Sequence, residues 1–218
     1  MVKGSMITKI IVVIIFFTIL STPLQASAEG TENAQQDCYS QEVVDLKFEL
    51  RRLWIDHTWW TRNVIISKLA GLDDKEKALE RLLQNQTDIG NAIKPYYGDE
   101  AGEELTKLLI DHILIAGNII DAALREDEVE YEKQNTAWFK NADDIASFLS
   151  KANPNWSEEE LQDLLYLHLE LTRDETVARL EKDWEADIDA FDVGEDHIIK
   201  LADTLSEGII KQFPEQFK

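Results

Sequence analysis

Apolar residues recur at intervals of three and four along most of this chain, the spacing that gathers them on one face of an α-helix. From Ser40 to Ala70 the series Val43, Leu46, Leu50, Leu53, Trp54, Trp60, Val64 and Leu69 predicts a first helix, with Gly71 as its stop. A second is expected from about Asp74 to Lys94, ended by Pro95, with Tyr96-Tyr97-Gly98 as a turn. A third runs from about Glu100 to Leu124, and the acidic stretch Glu126 to Glu128 leads to a fourth that closes at Asn153-Pro154. Ser157 and Glu160 have capping-box spacing and open a fifth helix. The sixth ends at Phe213-Pro214, and its start has two readings: Trp184 to Phe191 extends the fifth helix, or the break falls at Val193-Gly194. No run alternates as a strand would between turn residues. The expected fold is all-α, a six-helix bundle with a four-helix-bundle-like core in a single domain spanning 40–218.

An internal repeat sharpens this picture. The pattern ELxxLxxxH occurs three times, ending at His57, His112 and His168, with copies 55 and 56 residues apart. Asn85 and Asp88-Ile89-Gly90 match Asn141 and Asp144-Ile145-Ala146, and the 29-residue step from His112 to Asn141, taken from His168, lands on His197. The domain therefore reads as three related helical hairpins of about 56 residues, with all four histidines on registered positions.

Helical phase points those imidazoles inward. Leu105, Leu108, Leu109, Ala116 and Ile119 surround His112 on its face; Leu50, Leu53, Trp54, Thr61 and Val64 do so for His57, and Leu161, Leu164, Leu165, Thr172 and Glu175 for His168. Asn85 and Asp88 share a face with Ile89 and Ala92, and Asn141 and Asp144 with Ile145 and Phe148. Buried polar groups left unpaired cost about 1 to 3 kcal/mol each, so these must meet partners. They either bond one another across helices or converge on something bound. A divalent metal (Zn, Fe, Mn or Cu) held by His57, His112, His168 and His197, with Asp88, Asp144 and Glu175 as carboxylate ligands or orienting groups, is one outcome. The other is a buried network with a purely structural role. Neither ExxH nor HExxH is present to decide between them.

Before the domain, Lys3 and Lys9 precede an apolar run from Ile10 to Leu20, followed by Pro23 and Ala26-Ser27-Ala28, the layout of a cleavable signal peptide over 1–28. That run makes a helix of about 16 Å, well short of the ~30 Å a bilayer core requires. A secreted or cell-envelope protein without a stable membrane span is expected, with 29–39 as a flexible leader. Cys38, the one cysteine, excludes an internal disulfide and leaves a free thiol or a disulfide-linked dimer.

Charge restricts partners. With 43 acidic and 22 basic residues the chain carries −21, which disfavours nucleic acid and suits cations or a basic partner. The acidic segments 126–132 and Asp183 to Asp192 read as solvated faces, without an EF-hand loop. GxGxxG, Walker and GxSxG motifs are missing, so nucleotide-dependent and serine-hydrolase chemistry is disfavoured.

The stretches ELRRLWIDHTWWTRN, NQTDIGNAIKPYYG, NADDIASFLSKANPNW and ADTLSEGIIKQFP resemble a family of exported bacterial all-helical proteins of unestablished function, over Glu49 to Phe217. Relatives carry the labels glycosyltransferase and acetylglutamate kinase, which imply sheets and phosphate loops that this sequence lacks. The resemblance implies an extracytoplasmic bacterial setting. The expected function is a secreted, non-catalytic binding module; the alternatives are a structural or cell-envelope interaction protein and a metal-dependent enzyme.

Overall fold

A computed structural model describes residues 39–218, all of whose regular elements are helical. The expected signal peptide and the leader through Cys38 lie outside the described residues. Helices α1 (Gln41–Leu69), α2 (Lys75–Leu124), α3 (Glu128–Ala152), α4 (Glu158–Glu181) and α5 (Trp184–Gln212) are followed by a 3₁₀ turn, Pro214–Gln216. Four starts are fixed by side-chain caps on otherwise orphaned backbone N–H groups. Ser40 accepts from Val43 N, Asp127 from Glu130 N, Ser157 from Glu160 N and Asp183 from Ala186 N. Among the described residues no helix is long and apolar enough to cross a membrane.

Five helices stand where six were expected, because the second and third run together as α2. Helical hydrogen bonding continues past Pro95, and the only non-helical residue is Gly98, at φ 84° and ψ 170°. Proline forfeits a single donor here, while Tyr96 and Tyr97 hold the following turn by packing on Phe213, Phe217 and Trp156. The arms on either side of Gly98 lie against each other: a Cβ on Gly90 would stand 2.5 Å from the Gly102 carbonyl oxygen, and one on Gly102 2.6 Å from that of Gly90. Glycine at both positions permits this approach. The boundary before the last helix lies earlier than Val193-Gly194. Lys182 adopts the left-handed conformation at φ 64° and Asp183 caps the next turn, so Trp184 to Phe191 belongs to α5.

Consecutive helices pack in order and α5 closes back onto α1, forming a ring around one core. Leu161, Leu169, Ile198 and Ile209 have no exposed surface, and Leu50, Ile89, Leu105 and Leu201 almost none. Each such side chain contributes about 1.5 to 3 kcal/mol. At this packed end the Ser40 hydroxyl donates to Phe217 O at 2.9 Å, and Tyr97 Oη donates to Gln212 while accepting from Asn153. A smaller cluster, Val64, Ala78, Leu82 and Ile113, lies toward the other end.

Candidate functional site

The four imidazoles are buried, between 1 % and 5 % exposed. His168 stands between two others, its ring centre 5.5 Å from that of His57 and 6.0 Å from that of His112. Trp54 covers His57 at 5.4 Å and Trp138 covers His112 at 5.3 Å. The rings form a layer across the bundle.

One hydrogen bond recurs at the registered positions. Asn85 donates to Leu53 O at 3.0 Å, Asn141 to Leu108 O at 3.0 Å, and His197 Nε2 to Leu164 O at 2.7 Å. Each acceptor is the carbonyl four residues before His57, His112 or His168. The amides in turn set the ring tautomers. Asn141 spends its N–H on Leu108, so its oxygen accepts from His112 Nδ1 at 2.8 Å. Gln86 spends its own on Leu82 O and Asn85 Oδ1, so its oxygen accepts from His57 Nδ1 at 3.2 Å. Both rings carry the proton on Nδ1 and keep a lone pair on Nε2. Asn85 and Gln86 together do what Asn141 does alone; the 29-residue step from His57 pointed at Gln86, which matching by residue type passed over.

Burial holds the imidazoles of His57, His112 and His168 neutral. It drives His57 down to about 3, with the nearby His112 adding to the effect against the Gln86 hydrogen bond. His112 is driven to about 4 by burial, against its bond to Asn141. His168 lies well below its ordinary value through burial and the three other histidines around it.

The carboxylates expected beside them are elsewhere. Asp144 is exposed and bonded to Lys140 one turn away, and Asp88 is half-exposed beside Gln84 and Arg81. The face shared with Ile89 or Ile145 is wide, and its edge reaches solvent. Glu175 is buried but bonded to Arg62 at 2.6 Å. Burial lifts it to about 7 against the pull of that hydrogen bond. Among the described residues no group of three or more His, Cys, Asp or Glu side chains is placed to hold a metal ion.

Arg62 also corrects the reading of the acidic segment 183–192. Its guanidinium forks onto Asp187 at 2.8 and 3.2 Å, Arg179 reaches the same carboxylate at 2.6 Å, and Asp187 is only 1 % exposed. The cluster joins α1, α4 and α5, with Arg62 over the Phe191 ring and Arg179 over that of Trp184. Nothing local in an acidic helix start marks the one residue that an arginine far away in sequence will bury.

One helical turn beyond the imidazole layer lies a cavity of about 200 Å³. Thr61, Ala116 and Thr172, each four residues after a repeat histidine, line it, and their small size with that of Gly117 opens the space. Val64, Ile65, Leu82, Ile113 and Ile120 make its walls apolar, and Trp138 links it to His112. Thr61 Oγ1 and Trp138 Nε1 are buried without a hydrogen-bond partner among the described residues. For comparison, an engineered apolar cavity of about 150 Å³ admits benzene. Set against known protein families, curated proteins and solved structures, the chain matches none of them.

Proposed function

We propose that this protein is an exported, non-catalytic helical binding module that takes a small, apolar-bodied ligand into the cavity beyond its imidazole layer. The observation that carries this reading is the cavity itself. A hollow of this size lined almost wholly by apolar side chains forfeits contacts that closer packing would make. Two lining residues that also leave buried polar atoms unpaired add a cost that packing alone would remove. Such departures from good packing are expected where function requires them. The signal-like segment over 1–28 supports export. We further read the bundle as six helical arms in three hairpins; the support is the hydrogen bond repeated at Leu53, Leu108 and Leu164 and the turn at Gly98.

Gly117→Leu tests the cavity reading, since a side chain there meets open space. The variant should melt higher, by about 0.5 to 2 kcal/mol of added stability, and should lose stoichiometric binding of an apolar fluorescent dye followed by dye emission. Unchanged dye binding in a folded variant overturns the reading.

A second reading places a divalent metal among the imidazoles. It is favoured by the two Nδ1–H groups tied to amide oxygens, the outer-shell arrangement usual for ligating histidines. Elemental analysis after zinc reconstitution and desalting decides it. We expect far less than one zinc per chain and no metal effect on melting; one tightly held zinc would establish the second reading.

A further inference from the structure

We infer that the cavity's ligand is a single-chain amphiphile with a carboxylate head. This rests on the cavity reading above and adds the chemistry of the ligand. The walls dictate an apolar body: Val64, Ile65, Leu79, Ile113 and Ile120 offer no fixed array of donors and acceptors for a sugar or nucleotide. At about 200 Å³ the space suits one short chain.

The charged residues at the lining assign the head. They are Lys68, Lys75 and Arg173 against Glu76 alone, in a protein with about twice as many acids as bases. Lys68 is held by Asp121 at 2.9 Å, but Lys75 and Arg173 reach only their sequence neighbours Glu76 and Asp174, both at 3.8 Å. Those separations exceed a hydrogen bond, so the ammonium and guanidinium donors of these two remain open among the described residues. Their side chains are 48 % and 41 % exposed, which puts them at the edge where a head would rest while its chain runs inward toward the imidazole layer. At the inner end Trp138 packs on the neutral His112 ring, a setting that does not suit a second charge. Open ammonium and guanidinium donors at the lining match a carboxylate, which takes up charge-assisted bonds from either.

Calorimetric titration of the full chain with decanoate and decyltrimethylammonium below their micelle concentrations, and with decanol below its solubility limit, tests this. Decanoate should bind once per chain and about ten-fold tighter than decanol, with the cation weakest. Lys75→Ala combined with Arg173→Ala should bring decanoate down to the affinity of decanol and leave decanol unchanged. Gly117→Leu should remove both. Decanol or the cation binding as tightly as decanoate overturns the carboxylate assignment and leaves the cavity reading standing. No binding by any of the three, in protein that is folded by circular dichroism, overturns both.

Discussion

Between about pH 6.5 and pH 4 the protein should lose several kcal/mol of stability. His57 and His112 keep their protons off down to about 3 and about 4, whereas the same residues in the unfolded chain charge near 6.5. A base depressed in this way stabilises the fold fully above its unfolded value, and the contribution falls away as the pH drops below it. Each such histidine costs about 1.4 kcal/mol per pH unit across that window. His168 acts in the same direction. Glu175 opposes them: its folded value, raised to about 7, makes a contribution that is present at low pH and fades as the pH rises toward 7. One carboxylate against three imidazoles leaves a net loss on acidification. Urea titrations at half-unit steps of pH should show it as a falling midpoint. In His112→Leu the slope of stability against pH should be shallower by about 1.4 kcal/mol per unit, whatever the variant's stability at pH 7. A slope equal to that of the parent would show that His112 titrates normally in the fold. Glu175→Gln should steepen it by a similar amount.

Arg62→Ala should be the most damaging single exchange outside the apolar core. It leaves Glu175 and Asp187, 6 % and 1 % exposed, without the guanidinium that both contact, and only Arg179 still reaches Asp187. Removing one partner of a buried ion pair costs about 3 to 5 kcal/mol, mostly through the stranded charge. Arg62→Lys should recover only part, because an ammonium cannot fork across both Asp187 oxygens while bonding Glu175. The double variant Arg62→Ala, Glu175→Leu should be more stable than Arg62→Ala alone. A loss below about 1 kcal/mol at the urea midpoint would mean that water reaches the cluster and screens it.

Much of this arrangement was legible in the sequence because it is local or periodic. The cap at Ser157, the stop at Gly71 and the inward phase of all four histidines follow from spacing alone. Positions four residues past each histidine were visible too, but their meaning was not. Whether Thr61, Ala116 and Thr172 fill a core or surround a hollow depends on how far apart the ring of helices sets them. Asp88 and Asp144 mark a different limit, since a residue at the margin of an apolar face turns to solvent whenever a nearby Arg or Lys offers a bond. Asp187 is the converse case. Its burial depends on Arg62, 125 residues earlier, and no periodicity connects the two.

The bond between Ser40 and Phe217 bears on how the domain is carried. Its first and last helical segments meet at the packed end, while Thr61 and the cavity lie some 30 Å further along α1 at the rise of an α-helix. The described residues therefore begin and end at the end opposite the mouth. A short linker from Lys218 to Tyr39 would permit circular permutation with new termini at Gly71 or Lys182, both surface turns with left-handed backbone.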